Sequence, residues 1–342
     1  MLENSKLIQA YRGVKQATPP IWFMRQAGRY LPEYRELRKK HRMLDLIQSP
    51  KLAAEVTLQP LRRFDLDGSI IFADILNPLM AMGAKLDFVD GEGPKIFNPV
   101  RTRSDISNLI VPKDAGHVDY TLEAISIVAS ELAKKNIPLL GFCGAPFTLS
   151  SYLIEGGSSS SLSKVKALMF SDFEAWNELQ LKLVQMLTDY LIAQVKAGAA
   201  ALQIFDSWLG HVSPWHYSKY VEPYLVKLIS DVKKQVTVPV VFFATGISQI
   251  YSELKNLPCD IMGVDFRITL LEANRLLDGK FPLQGNLDPS ALFASKEHLK
   301  QEVDLILKQG KDLKSHIFNL GHGILPETPI ENVEYVIQLI KQ

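Results

Sequence analysis

Two arginines in the first thirty residues are spaced as if to bind an acidic ligand. Arg25 and Arg29 follow a short apolar run, and Gly28 lies between them. A guanidinium offers planar, bidentate donors to a carboxylate, so two of them on a glycine-containing loop can converge on a ligand with several carboxylates. Arg35, farther along, is more typical of an exposed helix surface. The spacing therefore predicts a carboxylate-binding loop at residues 25–29.

Two titratable residues follow other apolar runs in the same way. Asp74 closes the run that begins near Gly68, and His322 lies between Gly321 and Gly323 after the last run of the chain. A carboxylate at the end of a buried strand is costly unless it meets a donor or a cation, so the partner of Asp74 is either an arginine or the ligand. His322 is predicted to be an accessible donor.

Several other chemistries find no support in the sequence. The glycine-rich segment 141–157 contains Tyr152 but neither a dinucleotide fingerprint nor a phosphate-binding loop. Ser207 has no nucleophile-elbow pattern around it, so we interpret it as a hydrogen-bonding residue. His211 and His216 are five positions apart, which is the wrong spacing for a metal pair on one helix face. We predict that the protein binds no metal.

Composition limits the classes of partner. Lys and Arg (38) nearly balance Asp and Glu (37), so no global field attracts nucleic acid or an acidic membrane surface. The two cysteines, Cys143 and Cys259, stand alone in apolar stretches, which indicates neither a disulfide framework nor a zinc knuckle. No apolar run near the N-terminus is long enough for a signal peptide, and the uncharged run 138–154 contains glycines and proline. We expect a cytoplasmic protein without membrane spans.

Eight short apolar runs alternate with segments of helical period, which is typical of βαβ units around a parallel sheet. They span residues 20–24, 69–75, 137–142, 201–205, 238–244, 261–266, 282–285 and 316–320. The uninterrupted alternation predicts an α/β fold, namely one closed (β/α)8 barrel domain over residues 1–342. Polar residues follow nearly every run, and in a barrel these strand ends meet at one rim, where such enzymes place their chemistry.

Five segments together resemble the uroporphyrinogen decarboxylase family. In chain order they are MRQAGRYLPEYR, PLRRFDLDGSIIFADIL, GFCGAPFTLSSYLIEGG, LQGNLDP and NLGHGILP, and the similarity runs from about Arg12 to Val336. The resemblance implies a TIM barrel, usually a homodimer, that converts the four acetate side chains of uroporphyrinogen III to methyl groups. The products would be coproporphyrinogen III and CO2, in heme biosynthesis, without a metal or an organic cofactor.

The resemblance also assigns roles to individual residues. It implies catalytic roles for Asp74, Arg25 and Arg29, with Asp74 accepting hydrogen bonds from the pyrrole N–H groups and Ala27 acting through its backbone. The implied substrate-binding set is Arg25, Gln26, Ala27, Gly28, Arg29, Arg38, Asp74, Tyr152, Ser207 and His322. One departure is Phe266 and Arg267, where similar sequences often carry an aromatic residue followed by threonine.

Two other functions stay open at this point. Barrels of similar sequence transfer methyl groups from corrinoids to thiols, but they need a zinc site with a His-x-Cys pair, and neither Cys143 nor Cys259 has a histidine two positions before it. A tetrapyrrole carrier without catalytic activity would keep the arginines but would have no need of Asp74. The identity of the proton donor is also open, between one of the two loop arginines and His322.

Overall fold

A computed structural model describes residues 2–89, 91–113 and 118–342 of the chain. Its centre is a seven-stranded parallel sheet, with strand order β1-β4-β5-β6-β7-β8-β9. The strands are β1 Ser69–Ile70, β4 Leu139–Gly144, β5 Ala201–Asp206, β6 Val240–Ala244, β7 Ile261–Gly263, β8 Leu283–Gln284 and β9 His316–Ile317. Nearly every residue in them is buried, because helices cover the outer face and side chains fill the inner one.

The sheet curls until its two edges meet across a short extended segment. Phe318 N donates to Pro20 O (2.9 Å), and Trp22 N donates to Phe318 O (3.4 Å), so the segment pairs in parallel with the residues after β9. On the other side, Asp67 N donates to Ile21 O (2.8 Å), just before β1. The predicted barrel is therefore closed by hydrogen bonds on both flanks of Ile21.

The strand predicted at 20–24 is wrong in its extent, because only a single bridge forms there. Pro20 has no N–H to give to a ladder. Phe23 N donates to the side chain of Gln26 (3.0 Å), and Met24 N donates to the side chain of Asn319 (3.0 Å). Side chains thus take the donors that a strand would need, and the backbone is free to turn at the next residue.

Helices connect the strands and pack around the barrel. The first, α1 (Lys6–Tyr11), precedes the Ile21 bridge and lies under the start of β1, since a Cβ on Gly68 would come within 2.4 Å of Leu7. The others are α2 Pro32–Lys40, α3 Met43–Gln48, α4 Pro50–Arg63, α5 Asn77–Ala81, α6 Arg103–Ser107, α7 Asp119–Ala133, α8 Pro146–Glu155, α9 Ser163–Ser171, α10 Phe173–Lys196, α11 Pro214–Tyr220, α12 Glu222–Lys233, α13 Tyr251–Leu254, α14 Leu270–Leu276, α15 Lys296–Gly310 and α16 Ile330–Lys341.

A small antiparallel hairpin, absent from the sequence prediction, lies outside the barrel. It pairs β2 (Leu86–Val89) with β3 (Gly93–Ile96). Ile96 N donates to Gly156 O (2.8 Å), which ties the hairpin to the C-terminal end of α8. Within the described ranges, no helix is long and apolar enough to span a membrane.

Polar side chains buried inside the lower half of the barrel bond to one another. Tyr11 OH donates to Gln284 Oε1 (2.7 Å), and Trp22 Nε1 lies 3.1 Å from the same oxygen. Gln284 Nε2 in turn donates to Gln203 Oε1 (3.0 Å). All four residues are at most 1% exposed. We call these four residues the base network, because Tyr11 reaches it from α1 at the N-terminal end of the strands.

Candidate active site

Arg25 is placed at the rim by a sharp turn after the Ile21 bridge. Its φ of 60° lies in the left-handed region, which costs free energy for a residue with a Cβ and tends to occur at functional sites. The side chain then runs along the backbone of Gly323, where a Cβ would lie 2.4 Å from Arg25 Cδ. The path of the Arg25 side chain therefore explains why the residue after His322 is a glycine.

Asp74 faces the same part of the rim. Burial raises the pKa of its carboxyl, and the Leu76 N–H (2.9 Å from Oδ1) and the charge of Arg25 oppose that rise. The two side chains form no ion pair within the described chain, and Asp74 keeps partial access to solvent. The carboxylate is thus close enough to feel the guanidinium but is not neutralised by it.

Tyr152, on α8, closes this side of the cleft. Burial raises the pKa of its phenol, the charge of Asp74 raises it further, and the charge of Arg25 lowers it. Its ring packs edge-on against Trp208, with the ring centroids 5.7 Å apart. The structure therefore brings Arg25, Asp74 and Tyr152 together, although they are far apart in sequence.

Arg29 and Arg38 lie farther along the same edge. Burial raises the pKa of Tyr34, while the charges of Arg38 and Arg29 lower it, so both guanidiniums are near that ring. Arg38 donates to His41 O (2.6 Å), and Arg29 is exposed with no acidic partner in the described residues. Arg35 instead donates to Arg29 O (3.0 Å), which ties the loop to α2, as expected for a helix-surface arginine.

The loop between the two arginines is held by the buried side chain of Gln26 and presents its backbone. Gln26 is fully buried, its Oε1 accepts from Phe23 N (3.0 Å), and its Nε2 donates to Gly68 O (3.3 Å). The side chain of Gln26 thus braces the barrel wall, and its contact with a ligand stays a prediction. Ala27 and Gly28 are partly exposed, and their N–H groups make no hydrogen bond to the described residues. They are free to donate to an anion.

Ser207 is held at the rim by a buried pair behind it. Thr148 donates to Asp206 Oδ1 (2.6 Å) and accepts from Trp208 N (3.1 Å), which fixes the turn around Ser207. Asp206 is fully buried, and burial raises the pKa of its carboxyl to about 7. Thr245 donates to the backbone carbonyl of Ser207 (2.9 Å), which further fixes this turn, and the contact of the serine hydroxyl with a ligand stays a prediction.

His322 precedes Gly323, whose backbone lies against the Arg25 side chain, and it is partly buried. Burial lowers the pKa of its imidazole, and the charges of Arg25 and Arg267 lower it further, while Asp265 acts in the other direction. The side chain is therefore mainly neutral near pH 7, and it can donate one hydrogen bond and accept another.

Aromatic rings lie beneath these polar groups. Phe205 and Phe243 are register partners on β5 and β6, with ring centroids 6.0 Å apart, and Phe142 packs edge-on against Phe205 at 5.6 Å. Phe205 is two residues beyond the inward-facing Gln203, so strand alternation puts its ring inside the barrel, nearer the rim. The cleft has an apolar floor and a cationic edge, which suits a large molecule with an apolar body and several carboxylates.

Comparison with known proteins agrees with this geometry. Residues 2–342 match the family model described as uroporphyrinogen decarboxylase (URO-D). The chain is 45% identical over 343 residues to "Uroporphyrinogen decarboxylase" of a Thermus thermophilus strain, covering 100% of this chain and 98% of that protein. It is 46% identical over 340 residues to the protein of the same name from Carboxydothermus hydrogenoformans, covering 99% and 96%. The chain belongs to the uroporphyrinogen decarboxylase family.

A solved structure supports the architecture of this family member. A methyltransferase from Methanosarcina mazei superposes with a TM-score of 0.83 at 20% sequence identity, covering 99% of this chain and 98% of the other. At that identity the likeness concerns the fold alone, and it agrees with the predicted TIM-barrel class. Among the described residues, no group of three or more His, Cys, Asp and Glu side chains is arranged to hold a metal ion.

Sequence reasoning named most of the side chains at this rim of the uroporphyrinogen decarboxylase fold, but it gave no role to three that support or extend it. Asp206 and Asp265 are fully buried behind the rim, and Arg267 is exposed on it. Asp206 and Arg267 directly follow predicted apolar runs, and Asp265 lies near the end of one. The signal was therefore present in the sequence, but only coordinates show which neighbours these residues contact.

Proposed function

We propose that this protein removes the carboxyl groups of the four acetate side chains of uroporphyrinogen III, giving coproporphyrinogen III and CO2 in heme biosynthesis. The observation that carries the proposal is the rim arrangement, in which Asp74 faces Arg25 without an ion pair above an apolar floor. Arg25 and Arg29 have no acidic partner within the described residues. The substrate would supply the missing negative charges, and its pyrrole rings would supply the donors that Asp74 lacks.

The pyrrole ring can accept the electrons that decarboxylation releases. A proton first adds to the ring carbon next to the acetate-bearing carbon, which leaves a cationic ring. The bond between the acetate methylene and its carboxylate then breaks, CO2 departs, and the electron pair neutralises the ring. A second proton adds to the exocyclic carbon to form the methyl group, and the ring carbon loses its proton. The net change consumes one proton per carboxyl group, so the protein must manage protons and stabilise the cation.

Asp74 is suited to stabilise that cation. At about 4 Å and an effective dielectric constant near 20, a carboxylate attracts a unit positive charge by about 4 kcal/mol. If only the cationic state gains this energy, the rate rises by up to about 10³. The raised pKa of Asp74 reflects a carboxylate that burial has made costly, and a ring cation would relieve that cost.

Proton delivery is assigned to the arginine side of the cleft. His322 is the alternative donor, but burial and two neighbouring guanidiniums lower the pKa of its imidazole, which reduces the imidazolium population near pH 7. Arg25 is close enough to Asp74 to affect its carboxyl. In this proposal Arg25 and Arg29 orient substrate carboxylates and Arg25 hands over the proton, while Tyr152, Ser207 and His322 provide neutral hydrogen bonds.

The remaining features of the proposal follow from the family. We assign catalysis to a homodimer in the cytoplasm, with residues 1–342 of each chain forming one barrel domain. Ala27 and Gly28 would bind substrate through their free N–H groups. Arg38 would contact a more distant carboxylate, since it lies near Arg29 around Tyr34.

The proposal is tested by turnover. Purified protein is incubated with uroporphyrinogen III under anaerobic conditions with a chelator, and the number of carboxyl groups on the product is followed by chromatography. We expect stepwise loss of four carboxyl groups with release of CO2, unaffected by the chelator. Tight binding of the octacarboxylate without loss of a carboxyl group would contradict the proposal and would indicate a tetrapyrrole carrier.

A further inference from the structure

Arg267 is a guanidinium at the rim that the proposed mechanism does not use. It follows β7, and its Nη1 donates to Asp265 Oδ2 (2.9 Å). Its guanidinium carbon lies 4.3 Å from the centroid of the Phe266 ring. Asp265 is fully buried and also accepts from Gly246 N (2.6 Å) and Arg267 N (3.1 Å). Two fixed contacts therefore orient the guanidinium, which reduces the entropy lost when it binds a ligand.

The loop that carries His322 places Arg267 and Arg25 on either side of that histidine. A Cβ on Gly321 would lie 2.3 Å from Phe266 N, and a Cβ on Gly323 would lie 2.4 Å from Arg25 Cδ. The loop is thus pressed between the Phe266 backbone and the Arg25 side chain. Consistent with this placement, burial lowers the pKa of His322, and the charges of both arginines lower it further.

The ion pair with Asp265 leaves most of the Arg267 guanidinium unused. The side chain is 47% exposed, whereas Asp265 is 0% exposed and already accepts two backbone N–H groups. Within the described ranges, Nη1 is the one guanidinium nitrogen of Arg267 that makes a hydrogen bond. A guanidinium has five N–H donors, so the other edge can bind a carboxylate in bidentate geometry.

From this geometry we infer that Arg267 binds a carboxylate side chain of the tetrapyrrole, on the side of His322 opposite Arg25. The inference rests on the proposed function and extends it, because it adds a binding residue that affects KM. Arg267 would therefore be a specificity-determining residue of this cleft.

The test compares Arg267→Gln and Arg267→Lys with Arg275→Gln. Arg275 is the matched control, since it is also exposed and pairs with an acidic residue, Glu272 (2.7 Å), but lies on α14. We expect Arg267→Gln to raise KM for uroporphyrinogen about tenfold while kcat changes less than about twofold. Arg267→Lys should keep part of the affinity, because the charge remains, and Arg275→Gln should match the unchanged protein.

A second measurement separates this inference from the proposed function. Uroporphyrin, the oxidised octacarboxylate that cannot be decarboxylated by protonating a pyrrole ring of this kind, is titrated into each protein and its absorbance is followed. Weaker binding by Arg267→Gln supports the contact even if the unchanged protein shows no turnover, in which case the proposed function alone fails. Equal KM and equal binding for Arg267→Gln and the unchanged protein would overturn the inference. A fall in thermal stability with both values unchanged would also overturn it, because it would make Arg267 purely structural.

Discussion

The two ends of the barrel hold polar side chains under opposite conditions. At the N-terminal end, the hydroxyl of Tyr11, the indole of Trp22 and the amides of Gln284 and Gln203 bond to one another and are shielded from water. At the C-terminal end, Arg25 and Asp74 approach each other without pairing, and Arg25 is exposed. Neutral groups satisfy one another at the base, whereas charged groups at the rim are left with unused hydrogen-bonding capacity.

The contrast shows that the paired groups at the base contribute to stability, whereas the unpaired groups at the rim remain available to bind a ligand. A buried polar group costs free energy unless it is paired, so the base network must be complete for the barrel to close around it. A rim group that was fully paired would have to break those bonds before it could bind a ligand.

The volume of a cavity is a poorer guide to the position of the active site than the hydrogen-bonding state of its polar groups. A cavity of about 510 Å³ lies at the base end beside α15 and α16, lined by Lys15, Lys308 and His316 among others, far from the rim cluster.

The largest effect is expected at Asp74. Asp74→Asn should lower kcat by about 10³, because the amide cannot stabilise a cationic ring as the carboxylate does. Burial raises the pKa of Asp74, so the folded protein binds that proton more tightly than the unfolded chain, and the charged form costs stability at neutral pH. Thermal unfolding of Asp74→Asn should therefore occur at the same temperature or higher.

The pH dependence of activity is a second test of the role of Asp74. Activity of the unchanged protein should fall in acid as Asp74 gains a proton, with an apparent pKa above the ordinary aspartate value of 3.8, and Asp74→Asn should lose that limb. Asp231→Asn serves as the control, since Asp231 pairs with Lys227 (2.8 Å) on the outer surface of α12. Unchanged kcat in Asp74→Asn would remove Asp74 from the mechanism.

A substitution in the base network should lower the stability of the protein and leave kcat almost unchanged, the opposite of the result expected for Asp74→Asn. Gln284→Ala removes the buried acceptor of the Tyr11 hydroxyl and the buried donor to Gln203 Oε1, while Trp22 Nε1 keeps its bond to Tyr11 OH (3.0 Å). The free energy of unfolding should therefore fall by about 3 kcal/mol. The kcat of the molecules that remain folded should change little. Denaturant unfolding and kcat per folded molecule measure the two quantities, with the exposed Gln338→Ala on α16 as control. A loss of kcat as large as in Asp74→Asn, without loss of stability, would contradict the division between base and rim.

Sequence patterns predicted the strands where local hydrophobicity alone decides the structure. β6 is buried throughout and β5 is buried except at the partly exposed Phe205, and the predicted runs 201–205 and 238–244 match these strands to within two residues. The prediction failed at 20–24, where Gln26 and Asn319 take the backbone donors. It also missed the hairpin β2–β3, which a hydrogen bond from Ile96 N ties to the end of α8. The spacing of apolar residues does not show which side chains will bond to the backbone of a strand, or which distant elements will contact a hairpin.

At the rim, too, the sequence predicted which residues come together but not the contacts that depend on how loops pack. That Arg25, Asp74 and His322 meet could be predicted, because all strand ends of a barrel share one face. That Gln26 braces the wall, and that Phe266 presses on Gly321, could not, since both depend on how one loop packs on another. The catalytic and binding roles of the rim residues stay predictions, which the variants of Asp74, Arg267 and His322 test.

The smallest effect is expected at His322, and it decides between the two proton donors. Burial and the two flanking arginines lower the pKa of His322, so the imidazole is mainly neutral near pH 7 and acts as a hydrogen-bonding group. His322→Gln keeps a donor and an acceptor, and kcat should fall only about fivefold, by the same factor from about pH 6 to about pH 9.

A general acid contributes about 10² to 10⁴ in rate. If His322 supplied the proton, the loss in His322→Gln would reach that range, and the unchanged protein would lose activity as the pH rose through the imidazole pKa. Measuring kcat across that interval for both proteins therefore distinguishes a neutral contact at His322 from proton transfer, and the first outcome assigns the proton to the arginine side of the cleft.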